Sequence, residues 1–507
     1  MGPRALSAAA LTAVLAGAVV AQGPLYRERW GYLHLELRRH ELLQALRGAD
    51  AAALQRTAEL LTGPDRGIPF APVAAALAAA RGAEADGAFL LRTMLSVFVL
   101  PEVADPDGSN ELCRRTNVSL FLPLSIELPG RLVFDFEVTD AAGERVWAAR
   151  LDVDPDVEDL RLARPVAPIP SGEFPDGRYE VRVATRIGDA APGSDDPVLV
   201  WPFHVLRGYQ QRSEAALAAF AERADALAGP ARAALTGLAA EVQRAYGGEA
   251  WDVASDAVRD LERLERALRN VADERAVLAG LSGDVPVRLE VAEPRGLAAV
   301  VRLPEDFEPG EARERPLVVF AAATPSYDLS PRRPGAPTAR GPRWLAHELR
   351  TFGSGLACDV AWLESPGEVP DYATNLARAL AALRQLFGTG SAPLLLVADG
   401  EAAAIAGLHV QKLAPMLQGL VLVGAGAMTG PAIDALGALP VRVQPLPAHP
   451  GSEGLRRVLA YAEGRDGDVA RLDPRELPWP LALPLLQDQI EAFAQRVFAG
   501  AGVTRDR

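Results

Sequence analysis

Asp399, Gly400 and Glu401 stand between an apolar run, Leu394-Leu395-Leu396-Val397, and a run of small residues, Ala402-Ala403-Ala404. The whole stretch, 392–408, reads APLLLVADGEAAAIAGL. This is the pattern of a buried strand that enters a helix through a very tight turn, a place where enzymes often hold a nucleophile. The two carboxylates admit two readings. Asp399 and Glu401 cap and complement the positive start of the following helix, or they bind a cation or an amine. A second group of reactive side chains follows the apolar run RPLVVFAAAT: Ser326, Tyr327 and Asp328. With Glu364, Ser365 and His449 they would surround a pocket. Ser326 and His449 form a conceivable nucleophile–base pair, with no evident third member. Ser354 and Cys358 precede another apolar run, at the end opposite to such a pocket. His409 reads as a packed or surface helix residue. His34 and His40 sit among charges, as on a solvated helix face.

These groups need elements to hold them, and the hydrophobic period changes along the chain accordingly. In 22–105, HLELRRHELLQALRG sets Leu35, Leu42, Leu43 and Leu46 near one helix face. FAPVAAALAAARG and FLLRTMLSVFVL are expected to continue as helix. In 106–207 the period falls to two: Leu132, Phe134, Phe136 and Val138 alternate with polar partners, as do Tyr179, Val181, Val183 and Thr185 after an Asp-Gly turn. A small β-sandwich follows from this, resembling the immunoglobulin-like modules appended to secreted enzymes. In 208–282 helical spacing returns, with Ser213 as a candidate cap and Val258, Leu261, Leu264, Leu268 and Val271 at three- and four-residue steps. A hairpin or short bundle linking two domains is expected there. From 283 to 507 strands and helices alternate, which predicts a mostly parallel sheet with function at the carboxyl ends of its strands.

The order of this last region resembles the α/β-hydrolase superfamily, in particular its secreted esterase, dienelactone-hydrolase-like and prolyl-oligopeptidase-like members. The carriers are VVRLPEDF, PLVVFAAAT, WLESPG and, above all, LLLVADGEAAAIAG. The resemblance implies a nucleophile flanked by small residues at the strand-to-helix bend. Gly400 meets this requirement, with Ala398 and Ala402 as flanks. Asp399 would be flanked by Val397 and Glu401, and Glu401 by Asp399 and Ala403. The best register therefore puts a residue without a side chain where the nucleophile belongs. The implied oxyanion loop falls on Ala322 and Ala323 in place of His-Gly, and Pro325 lacks an N–H donor. VRVQPLPAHPG supplies no acid, leaving Asp434 and Glu453 as nearby candidates. No histidine follows His449 to act as base. The resemblance thus implies a hydrolase fold without its catalytic residues, with a binding or scaffold role. The alternative is an active esterase or peptidase with relocated groups near Ser326 and His449.

Composition limits the remaining classes. The chain has 507 residues, 49% of them hydrophobic and 23% charged, as in globular proteins. A formal net charge of −14, with Lys412 the sole lysine, argues against nucleic-acid binding. Six His and two Cys show no CxxC or HExxH spacing, so no metal or other cofactor is expected. Cys113 and Cys358 are expected as two buried thiols rather than a bridge. Arg4, the apolar ALTAVLAGAVV and the small residues Val19 and Ala21 fit a signal peptide over 1–21. A secreted or periplasmic protein, with no membrane span after cleavage, follows as an expectation. Its partner would be a small ligand, a glycan or an envelope protein. Asn117-Val118-Ser119 matches a glycosylation sequon, a match short enough to arise by chance.

Overall fold

The structure, a computed structural model, describes residues 96–114, 116–121, 131–153, 164–187, 199–227, 229–246, 256–291, 296–305, 307, 315–322, 342–364, 372–399, 401–423, 439–444, 469–471 and 482–500. The signal peptide expected over 1–21, the helices expected before residue 90, and His34 and His40 lie outside these. So do Ala323, Ser326, Tyr327, Asp328, Ser365, Gly400, Asp434, His449 and Glu453. Among the described residues the chain divides between Arg207 and Gly208 into two compact units.

The first unit holds two sheets. β1 (Ser96–Leu100), β3 (Thr116–Phe121) and β6 (Arg164–Ile169) form one, in the order β1-β3-β6. β2 (Val103–Ala104), β4 (Leu132–Asp140), β5 (Arg145–Val153), β7 (Gly177–Ile187) and β8 (Leu199–Val205) form the other, in the order β2-β8-β7-β4-β5. Both contribute to one apolar cluster, with Val99 and Val118 from the first sheet and Phe134, Phe136, Val181 and Phe203 from the second. The two-residue period of β4 produces this directly: its phenylalanines turn inward while Asp135 and Glu137 stay half-exposed. The turn after β4 is closed by Asp140, whose carboxylate accepts from Ala142 N and Glu144 N, both at 2.9 Å. One expectation is corrected here. FLLRTMLSVFVL does not end as helix; Ser96–Leu100 is a strand, paired antiparallel with Asn117–Phe121. Val97, Phe98 and Val99 suit an extended backbone, and the pairing partner lies too far along the chain for a local window to register.

The second unit is built on eight strands. β9 (Gly283–Leu289), β10 (Leu297–Leu303), β11 (Leu317–Ala322), β12 (Asp359–Glu364), β13 (Leu394–Asp399), β14 (Gly419–Val423), β15 (Val441–Gln444) and β16 (Val469–Arg471) lie in the order β16-β15-β14-β13-β11-β12-β10-β9. β10 is antiparallel to both its neighbours, and every other pair is parallel. Residues 317–321 and 394–398 are at most 1% exposed, because both faces of the central strands are covered. Each such leucine, valine or phenylalanine contributes about 1.5–3 kcal/mol by burial. Helices α1 (Tyr209–Arg223), α2 (Gly229–Tyr246) and α3 (Ala257–Ala272) belong to this same unit, with α4 (Pro342–Glu348), α5 (Tyr372–Phe387), α6 (Glu401–Leu408) and α7 (Ala482–Gly500). Ser213 is not the expected cap. α1 starts four residues earlier, after Gly208 in the left-handed region (φ 73°), and Ser213 is fully buried within the helix. α2 lies so close to β9 that a Cβ on Gly237 would sit 2.4 Å from the Val287 Cα, so glycine is required there.

A charged cluster ties these helices together. Arg343 of α4 binds Glu241 of α2 at 2.7 Å and Asp260 of α3 at 2.5 Å. Arg244 holds Glu241 at 2.7 Å, and Arg263 donates to Ser282 O and Asp284 O at the start of β9. Asp260 is 2% exposed. Burial pushes its carboxyl above the ordinary value, against the pull of Arg343. Burial acts on Glu241 in the same sense, but Arg244 and Arg343 together outweigh it and hold that carboxyl low.

Removing one member strands the others in a water-poor site. Arg343→Met is expected to cost about 3–5 kcal/mol in urea unfolding, and Arg343→Met with Asp260→Leu to recover most of it. Glu241 has a folded pKa below its ordinary 4.5, so its contribution is present above that pH and is lost as pH falls below it. Glu241→Gln is therefore expected to lower the melting temperature at pH 7. That difference should close in a melting series carried below pH 4.5.

Candidate functional site

The carboxyl ends of five strands form a row. Glu364 of β12 lies opposite Ala322 of β11, Ala322 opposite Asp399 of β13, Asp399 opposite Val423 of β14, and Val423 opposite Gln444 of β15. Residues in register on parallel strands share a face, so these five positions stand on one side of the sheet. Glu364 and Asp399 are two strand spacings apart, about 9–10 Å. Glu364 is half-buried and accepts a hydrogen bond from Ala298 N of β10 at 3.2 Å. Asp399 is 2% exposed. The five residues closing these strands carry no hydroxyl, thiol or imidazole. The row carries two carboxylates, of which Glu364 is the one that reaches solvent, and none of its residues is a hydroxyl, thiol or imidazole nucleophile.

The bend between β13 and α6 is as short as the sequence suggested. The strand ends at Asp399 and the helix begins at Glu401. Gly400 is the one residue between them. Asp399 closes the strand and lies two residues ahead of the first helical residue, Glu401. α6 packs on β11, β13 and β14, and Ala402, Ala403 and Ala406 are fully buried. The small side chains are therefore a packing requirement.

The other candidates separate from this edge. Cys358 precedes β12, at the amino end of the sheet, and Ser354 is exposed in the preceding turn. Both cysteines are free, as expected, but neither is fully buried: each is partly exposed. Burial pushes the Cys358 thiol up to about 12, with Asp359 and Glu491 adding to the shift. α7 fixes this turn, since Glu491 accepts from Gly353 N at 3.0 Å. His409 is exposed just beyond α6. Among the described residues no group of His, Cys, Asp or Glu is placed to hold a metal ion, and no helix is long and apolar enough to cross a membrane. Sequence reasoning missed the layer beneath the row. Trp362 stacks on Phe320, with centroids 6.2 Å apart, and Arg302 lies 4.6 Å over the indole. The available signal was that two apolar runs, VAWLE and LLLVAD, each end in a carboxylate.

A thiol held near 12 stays protonated at neutral pH and does not react as a thiolate. In a Cys113→Ser background, maleimide labelling of Cys358 at pH 8 is expected to be negligible in the native protein. It should become complete in guanidinium, as read by intact-mass spectrometry.

No sequence family matches the chain, and no curated protein matches it. Among solved structures it is similar to a thermostable esterase, at 9% identity over 79% of this chain and 99% of that one, with a TM-score of 0.34. It is similar also to Est1E from Butyrivibrio proteoclasticus, at 9% identity over 43% of this chain and 100% of that one, with a TM-score of 0.29. A third is brefeldin A esterase, described as a bacterial homologue of human hormone-sensitive lipase, at 15% identity over 57% and 91%, with a TM-score of 0.26. Overlaps this loose identify no activity. The chain's own sheet says more: counted from β9, its strands lie in the order first, second, fourth, third, fifth, sixth, seventh, eighth, with the second alone reversed. That order and direction make the unit from β9 to α7 an α/β-hydrolase fold.

Proposed function

We propose that this is a secreted or periplasmic multidomain protein whose α/β-hydrolase unit has lost its catalytic residues and serves in binding or as a scaffold. The observation that carries the reading is the bend at Asp399–Glu401. The strand ends at Asp399 and the helix begins at Glu401, and the sequence supplies only a glycine between them, a residue with no reactive atom. VRVQPLPAHPG supplies no acid at the expected place and no histidine follows His449 in the sequence, which supports it, since a triad lacking its members keeps only a small residue of its rate. The carboxylate row favours a ligand with amine or hydroxyl groups. A small ligand, a glycan and an envelope protein all present such groups. The two-sheet unit fits an appended immunoglobulin-like module. Its sheets share one core, and Tyr179 Oη donates to Pro175 O at 2.8 Å, in the manner of the tyrosine corner of such sandwiches.

The test is direct. The purified full chain is incubated with a fluorophosphonate probe and with short p-nitrophenyl esters. Neither labelling nor turnover above the buffer rate is expected, and Gly400→Ser alone is expected to restore neither. Labelling abolished by Ser326→Ala would instead establish the relocated hydrolase.

A further inference from the structure

β5 is the outer strand of the five-stranded sheet, and among the described residues no strand lies beyond it. Its inward side chains show this. Trp147, Ala149 and Leu151 pack against the core yet remain partly exposed, whereas Phe134 and Phe136 of the adjacent β4 are at most 2% exposed. The outward face shows what chemistry would complete the edge. Charges there pair across strands: Glu137 lies opposite Arg182, Asp135 lies opposite Arg150, and Arg186 binds Asp135. After Arg150 the row stops. The anion Arg150 contacts beyond β4 is Asp152 of its own strand, 3.4 Å away; Asp152 is also held by Arg131 at 3.0 Å, and the Arg150 and Asp152 side chains nonetheless stay 52% and 45% exposed.

We propose that β5 pairs antiparallel with β5 of a second copy of this chain, about a two-fold axis through Leu151. The strand is self-complementary in this register. Arg150 stands opposite the partner's Asp152 and Asp152 opposite the partner's Arg150, while the two Leu151 side chains meet and extend the core. Charges on an edge strand ordinarily blunt it against pairing. Here they select a register instead, because a slip of two residues sets Arg150 against Arg150 or Asp152 against Asp152. The interface is isologous, as a closed dimer requires.

Light scattering and sedimentation of the full chain over a concentration series test this. The parent is expected to dimerise. Arg150→Asp and Asp152→Arg each set like charges opposite one another twice, and each is expected to weaken the dimer by about tenfold or more. Two further results are expected: the exchanged variant Arg150→Asp with Asp152→Arg dimerises again, and a mixture of the two single variants forms a heterodimer. Circular dichroism reports whether each single variant is folded. A parent that stays monomeric throughout, or folded single variants that dimerise as the parent does, overturns the proposal. None of these outcomes depends on whether the hydrolase unit is inert.

Discussion

α6 lies close against the central strands β11, β13 and β14, and the packing of this part of the unit is arranged around it. A helix that starts within two residues of the end of β13 has no room to rise away from the sheet. Its inward positions must then be alanine, and Ala402, Ala403 and Ala406 are completely buried. The same crowding assigns glycine-sized neighbours to the bend. This requirement is one of packing and holds whether or not chemistry occurs above it.

A second constraint works through charge. Helix α2 packs on β9 and α3 packs on α2, each with a carboxylate turned inward, and α4 brings Arg343 from a distant part of the sequence to meet both. Well-packed apolar residues would serve stability as well as such a cluster does. What the cluster adds is selectivity. Arg343 meets Glu241 and Asp260 at once, and Arg263 reaches the carbonyls that start β9. The two carboxylates respond in opposite senses to the same arginine, since Asp260 is the more deeply buried and Glu241 has Arg244 as well.

How much of this was legible depends on how local each cause is. β11 and β13 were plain in the sequence, because continuous apolar runs bounded by turn residues admit few other readings. The bend at Asp399–Glu401 was equally plain, since small residues after such a run have one steric explanation. The strand at Ser96–Leu100 was not, because its pairing with β3 decides its conformation and local spacing favoured helix. The start of α1 was missed for a smaller reason: Gly208 in the left-handed region opens the helix, and Ser213 merely resembles a cap. The row Glu364–Ala322–Asp399 was hidden by topology. β12 and β13 flank β11, so residues that are neighbours in space are ordered differently along the chain, and no spacing rule recovers that.

The protein closes its two large sheets in different ways. β9, at one margin of the eight-stranded sheet, is covered by α2 so tightly that Gly237 rests on the Val287 backbone. Along that margin Val285, Val287 and Leu289 are buried, while Asp284 and Arg288 stay partly exposed. β5, at the margin of the five-stranded sheet, has no helix over it among the described residues, and its protection rests on Arg145, Arg150 and Asp152 alone. Screening by a helix is indifferent to what approaches, whereas screening by alternating charge excludes most strands and admits one with the reverse alternation. An antiparallel copy of the same strand has that alternation by symmetry. The difference between the two margins is therefore a difference between an edge that is closed and an edge that discriminates.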